Sequence, residues 1–265
     1  MNPLQRILQS KWLERSKRQL GKLTGLHIKL KRFTASASEP LRTAMLLKNA
    51  QVDLVIDIGA NTGQFAESLY DFGYSGQVLS FEPVPEAHQE ISKRSQPYSQ
   101  WTIADRMAIG ETDGEIEFHI TDDTQFSSVL PIEDSFAAHN TKSSIVKKEM
   151  LPISRLDTII SQYIPNWDQR TILLKIDTQG YEQQVLNGAK AVLAKAKGLK
   201  IEIPVYKIYQ EAQLDFYGTL DLVRQEGFQP FSFHIEGVDL PTGRVNTMDG
   251  LFFRSESNSK NETGS

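Results

Sequence analysis

Apolar residues along this chain follow two patterns that alternate. Short continuous runs, Leu54-Val55-Ile56 before Ile58 and Ile172-Leu173-Leu174 before Ile176, have the uniform hydrophobicity of strands buried on both faces, as in a parallel sheet. Such strands are predicted at about 54–58, 78–82, 101–104, 171–177 and 199–203. Segments with helical spacing lie between or beside them: Leu41–Lys48, Gln64–Tyr70, Glu86–Arg94, Gly180–Ala196, and Asp215–Gln225, the last closed by Gly227. Leu151–Tyr163 reads as strand then helix, with Ser154 the candidate cap. Phe228–Ile235 and Met248–Arg254 each alternate with period two, which predicts an antiparallel hairpin at a sheet edge.

The pattern is weaker in the middle of the chain. Ala108–Ile120 reads as a hairpin turning at Thr112-Asp113-Gly114, and residues 132–148 are polar with no firm period. Residues 121–150 are therefore expected to be a substrate-facing insertion on a rigid sheet, or else a mobile surface loop with no ligand, with His139 a solvated loop residue. No internal repeat is visible.

Composition narrows the class. The 265 residues include no cysteine, which excludes disulfides, thiolate metal sites and a cysteine nucleophile. No apolar run approaches a membrane span, and no early apolar core suggests a signal peptide, so a cytoplasmic location is expected. The net charge of −4 is unevenly spread: residues 1–50 carry 11 Lys/Arg against 2 Asp/Glu, which leaves an acidic body and argues against nucleic acid as a partner. Residues 4–20 place Leu4, Ile7, Leu8, Trp12 and Leu13 on one helical stripe among basic residues. Such a helix lies on an anionic membrane, on its own domain, or on a second subunit. The domain plan is thus 1–40, a basic helix and linker; 41–254, the α/β body; and 255–265, a polar tail expected to be disordered.

The stretch that carries chemistry is Val-Asp-Leu-Val-Ile-Asp-Ile-Gly-Ala-Asn-Thr-Gly, residues 52–63. Strand, glycine turn and helix form a mononucleotide-binding unit, with Gly59, Ala60, Asn61, Thr62 and Gly63 in the turn and Asp57 at the strand's carboxyl end. A dinucleotide fingerprint needs glycine where Asn61 stands, and a P-loop needs a lysine that the turn lacks. Asp57 would repel a pyrophosphate but attract an amino-acid ammonium. Glu82, 23 residues after Gly59, can accept both hydroxyls of a ribose. A cationic amino acid, a ribose and no phosphate together describe S-adenosylmethionine. Asp105, at the end of the third strand, is a candidate for the adenine amine or else a turn residue.

Several segments resemble the FkbM-type S-adenosylmethionine-dependent methyltransferases: Ile56–Gly63, Phe81–Pro85, Ala108–Gly110 with Asp113–Glu115, Ser154–Asp157, Lys175–Glu182 and Met248–Arg254. One departure is Thr178-Gln179-Gly180, where that family more often has an acidic residue before the glycine. The resemblance implies a Rossmann-like class I methyltransferase fold, with a mostly parallel doubly wound sheet and a C-terminal antiparallel hairpin. It also implies methyl transfer to an oxygen of a glycan, lipid or secondary-metabolite acceptor. A hydroxyl acceptor benefits from a general base, for which Asp177 is the first candidate, followed by Glu202 and Glu182. Lys175 lies inside an apolar strand on the face of Asp177, so it needs a partner: either a structural ion pair, with Asp57 or Glu202, or direct contact with substrate, and it would orient or tune one of those carboxylates. No ligand spacing for a metal stands out. Two rival readings are a non-catalytic cofactor-binding scaffold and a nicotinamide-dependent oxidoreductase, and Asn61 argues against the second.

Because the nucleotide pocket is assembled from strands that begin after position 50, deleting residues 1–30 should leave S-adenosylhomocysteine binding intact. Calorimetry on the truncated chain checks this. Loss of folding would place the segment in the core or in a dimer interface.

Overall fold

The computed structural model describes residues 34–254 apart from 138, 139, 141, 142 and 240. The expected basic helix at 4–20, most of its linker, His139 and the C-terminal tail lie outside the described residues. The chain divides into two units, residues 1–42 and 43–265. In the first, the Arg42 guanidinium donates to the Ala35 carbonyl at 2.8 Å. Helix α1 (Glu39–Asn49) begins there and continues into the second unit, where it buries Thr43, Ala44 and Leu47.

The second unit is built on β1 (Leu54–Ile58), all five residues of which are buried. It pairs in parallel with β2 (Gln77–Phe81) on one side and β7 (Ile172–Ile176) on the other. With β3 (Trp101–Ile103), β8 (Gly198–Pro204), β9 (Phe228–Val238) and β10 (Val245–Arg254) they form a seven-stranded sheet in the order β3-β2-β1-β7-β8-β10-β9. Strands β1, β2, β3, β7 and β8 are parallel, while β10 runs antiparallel to both β8 and β9.

Alternation along each strand divides the core in two. Val55, Val78 and Leu173 pack with α1, α2 (Gln64–Asp71) and Ile91 of α3 (Pro85–Arg94). Leu54, Ile56, Leu79 and Leu174 pack on the opposite face, with α5 (Leu156–Tyr163), α6 (Glu182–Gly188) and α7 (Lys190–Lys195). The sheet is doubly wound, as the buried runs predict, and each parallel strand lies within one residue of its expected bounds.

Three local expectations are corrected. Ala108–Ile120 is not a hairpin: β4 (Ala108–Ile109) and β5 (Gly114–Thr121) both pair with β6 (Ile145–Ser154), in the order β4-β6-β5. The polar run at 145–150 is strand because β5 lies alongside it, with Lys148 bridging to Glu117 at 2.9 Å and Glu149 to Arg106 at 2.8 Å. That pairing joins segments some thirty residues apart in the chain, which local periodicity does not reveal. Ser154 does not cap α5; the Asp113 carboxylate accepts from the Arg155 amide at 2.9 Å and from the Thr158 hydroxyl at 3.3 Å. The expected helix 180–196 is two, α6 and α7, divided at Ala189.

Within the sheet, Asp57 and Lys175 are register partners on β1 and β7, and Lys175 Nζ lies 2.9 Å from Asp57 Oδ1. Both side chains are inside, 0% and 6% exposed respectively. Asp57→Ala should destabilise the protein by about 3–5 kcal/mol, because it strands a buried ammonium. Urea unfolding measures this, and Asp57→Leu combined with Lys175→Met should recover much of the loss.

Candidate active site

Strand order reverses between β1 and β7, and the carboxyl ends of those strands are where open α/β sheets bind ligands. The turn after β1 has Gly59 at φ +73°, Asn61 at +48° and Gly63 at +88°. A Cβ at Gly59 would stand 1.9 Å from the Asp177 carbonyl oxygen, and one at Gly63 would press on Ile91 and Trp101. The closest approach these glycines permit is therefore made by the chain itself, which draws the end of β7 onto the turn. The amides of Gly59 and Ala60 both donate to the Phe81 carbonyl at 3.1 Å, which ties the turn to β2. Ala60 is buried, while Asn61 and Thr62 are half-buried. Gly63 caps α2 with no side-chain acceptor.

Glu82 follows β2 directly and is buried. Its Oε2 accepts from the Asn61 amide at 2.6 Å and its Oε1 from the Val84 amide at 2.8 Å, so the carboxyl is held between two βα turns. Each oxygen keeps lone-pair capacity for a further donor, which suits a pair of ribose hydroxyls. Burial pushes its pKa up to about 7 against the lowering effect of those two amides, with Asp57 raising it further and Lys175 opposing. Asp105 is exposed beyond the end of β3. Its Oδ2 accepts from the Tyr163 hydroxyl at 3.1 Å and its amide meets the same oxygen at 3.1 Å. Met107 beside it is buried.

Asp57 is the partner of Lys175, one of the two that the lysine's place in an apolar strand led us to expect. Its carboxylate lies wholly inside the sheet, where it faces that lysine. The 2.9 Å contact is an ion pair without hydrogen-bond alignment, and neither Asp57 oxygen has an aligned donor among the described residues. Lys175 also donates to the Gly59 carbonyl at 3.3 Å and stands 3.6 Å from Asp177 Oδ2. Burial depresses the Lys175 ammonium, yet Asp57 and then Asp177 outweigh it and hold the pKa above its ordinary value. Glu202, the other expected partner, makes no ion pair with it among the described residues. The Phe65 ring covers both Lys175 and Lys200, at 5.6 and 5.4 Å, and Lys200 pairs with Asp249.

Beyond β7 the chain turns sharply, with Gln179 at φ +57° and Gly180 at +94°. Glu182 stabilises that turn: its Oε1 accepts from the amides of Thr178 at 3.0 Å and Gly180 at 3.1 Å and from the Thr178 hydroxyl at 3.3 Å. Burial raises its pKa to about 7. Gln179 is the residue that sequence reasoning undervalued. Its amide nitrogen donates to Asp177 Oδ1 at 2.7 Å and to Glu202 Oε2 at 3.3 Å, while its amide oxygen accepts from the Tyr209 hydroxyl at 2.8 Å. Ser128 donates to the Gln179 carbonyl at 2.7 Å, and the Thr124 hydroxyl reaches Asn61 Oδ1 at 3.4 Å. Thr124 and Ser128 thus hold their segment against the site, and within it Phe126 packs on Phe136 of the short helix α4 (Asp134–Ala137) at 5.7 Å. Thr178-Gln179-Gly180 was the available signal, as the one departure inside a matching segment.

Asp177 is a third exposed at its side chain. Glu202 is half-buried; desolvation first, then Asp177 and Glu182, raises the pKa of its carboxyl. It forms the floor of a cavity of about 330 Å³ walled by Tyr206, Tyr209, Leu214, Phe216 and Tyr217. Among the described residues, no group of three or more His, Asp or Glu is arranged to hold a metal.

A mostly parallel sheet with a glycine turn, a carboxylate after its second strand and an adjoining cavity is the arrangement of an S-adenosylmethionine-dependent methyltransferase of class I. Residues 57–230 match the methyltransferase FkbM domain, and the chain belongs to that family. The 2-O-methyltransferase NoeI of Sinorhizobium fredii (strain NBRC 101917 / NGR234) is 23% identical over 216 residues, which cover 77% of this chain and 86% of that protein. Solved structures that resemble it include magnesium protoporphyrin IX methyltransferase from Synechocystis PCC 6803 with bound SAM (TM-score 0.43, 11% identity, 94% of this chain and 93% of that one). An rRNA methylase from Streptococcus thermophilus is also similar (TM-score 0.44, 12% identity, 86% of this chain and 100% of that one). The family match carries the assignment: the chain is a methyltransferase that uses S-adenosylmethionine, and the nicotinamide and scaffold readings are set aside.

Glu82 generates a pH prediction. With its pKa raised to about 7, the unliganded protein increasingly holds a proton there as pH falls below 7, and ribose hydroxyls, as donors, require it to be released. Affinity for S-adenosylhomocysteine should therefore rise from pH 6 to pH 8, with proton release on binding, and Glu82→Gln should flatten the profile. Calorimetry in buffers of different ionisation enthalpy measures both, and a wild-type profile without slope would remove Glu82 from the cofactor site.

Proposed function

We propose that this methyltransferase methylates a hydroxyl oxygen of a glycan, lipid or secondary-metabolite acceptor, with the acceptor seated in the cavity above Glu202. The observation that carries this reading is the Gln179 amide. It joins Asp177, at the end of the strand that abuts the Gly59–Gly63 turn, to Glu202 on the cavity floor. Cofactor turn and cavity are thereby neighbours across one side chain. The 2-O-methyltransferase activity named for the relative NoeI supports oxygen as the accepting atom.

In this reading Glu82 takes the ribose hydroxyls, and Asn61 and Thr62 with the free first turn of α2 line the cofactor side. Asp105 keeps one carboxylate oxygen for the adenine amine. Bound S-adenosylmethionine supplies an electrophilic methyl on a sulfonium with a good leaving group. The chain has to align the acceptor, keep water out and receive a proton. Asp177 is assigned as the base. Gln179 fixes its Oδ1, Lys175 stands beyond its Oδ2, and its partial exposure leaves it reachable by a hydroxyl. Glu202 hydrogen-bonds the acceptor from the floor. Glu182 is assigned to holding the 178–180 turn, not to proton transfer.

Asp177→Asn should keep S-adenosylhomocysteine affinity within a few-fold and lower turnover by about 10²–10⁴-fold, the range for loss of a general base. Labelled S-adenosylmethionine with a panel of glycan and lipid acceptors gives the turnover. Unchanged turnover at saturating cofactor would move the base to Glu202.

A further inference from the structure

The cavity between the ends of β7 and β8 and the start of α8 (Phe216–Gln225) carries information about its ligand in the distribution of its charges. Its floor holds Glu202, half-buried, and Glu182, buried. Asp215 also lines it, but its Oδ1 accepts from the Gly218 amide at 2.7 Å and so caps α8. One lining residue is cationic, Lys207; it is 59% exposed and paired with Glu133 at 2.6 Å. Behind the floor, Lys175 and Lys200 are paired with Asp57 and Asp249 under the Phe65 ring. The Arg244 guanidinium is stacked over the Tyr206 ring at 4.5 Å. An anion brought to the floor would therefore meet carboxyl groups and, among the described residues, no unpaired lining cation.

The walls are aromatic and aliphatic, from Tyr206, Ile208, Tyr209, Leu214, Phe216 and Tyr217. Such faces suit the C–H face of a ring, while the Glu202 carboxyl supplies a directional polar partner below. The volume of about 330 Å³ is at the low end of ligand pockets, enough for one ring rather than an extended chain.

We infer that the cavity selects an uncharged, hydroxyl-bearing ring as the reacting end of the acceptor, and rejects rings that carry a carboxylate or phosphate. This rests on the assignment of the cavity as the acceptor site.

The test uses the full chain saturated with S-adenosylhomocysteine and matched pairs of probes: neutral p-nitrophenyl hexosides against the corresponding uronosides and 6-phosphates. Saturation-transfer NMR gives binding, and labelled S-adenosylmethionine gives methylation. At least one neutral probe should bind about 30–100-fold more tightly than its anionic partners at pH 8, the size expected for like charges a few ångströms apart in a partly buried site. Glu202→Gln should narrow that gap by improving the anionic partners. Tyr217→Ala should weaken the neutral probe about five- to tenfold with S-adenosylhomocysteine still bound. Anionic probes that bind as well as neutral ones, or no probe bound at all, would overturn the inference. Neutral preference at the cavity with methylation elsewhere on the panel would uphold the selectivity and overturn only the acceptor-site assignment.

Discussion

The carboxyl edge of the sheet depends on one buried ion pair, Lys175 against Asp57. An ammonium in the centre of a parallel sheet costs several kcal/mol in lost hydration unless an opposite charge lies beside it. Parallel register between β1 and β7 places Asp57 directly alongside. The same lysine donates to the Gly59 carbonyl and approaches Asp177, so one cation fixes the floor of the glycine turn and the end of the neighbouring strand together. Phe65, from the first turn of α2, closes this cluster from above.

A second constraint is the crowding of carboxyl groups. Asp177, Glu182 and Glu202 gather within reach of each other's fields, and burial together with mutual repulsion raises the pKa of the two glutamates. A neutral residue at 179 answers that crowding. Gln179 offers two N–H donors to the carboxylates and one carbonyl to Tyr209 without adding a further negative charge. The left-handed backbone at 179 and 180 aims the side chain inward, and the Tyr209 ring fills the space that a side chain at Gly180 would need. The 126–128 segment then leans on the same turn through Ser128. The middle of the chain, with the least regular pattern, thus becomes part of the site.

By itself the sequence determined the doubly wound sheet, the order of the glycine turn and Glu82, the terminal hairpin and the need of Lys175 for a partner. Each of these is written in local periodicity or in an unaffordable charge inside an apolar run, and neither depends on distant contacts. Tertiary structure decided the rest. Whether Asp57 serves a ligand or the chain's own lysine depends on strand register, and register belongs to two segments more than a hundred residues apart. The polar strand β6, the cap that Asp113 gives to α5, and the meeting of Gln179 with Glu202 and Tyr209 likewise join residues that no window along the chain contains. A hydrogen bond between distant side chains leaves no periodic trace in sequence, because its partners are set by backbone placement and not by the neighbours of either residue.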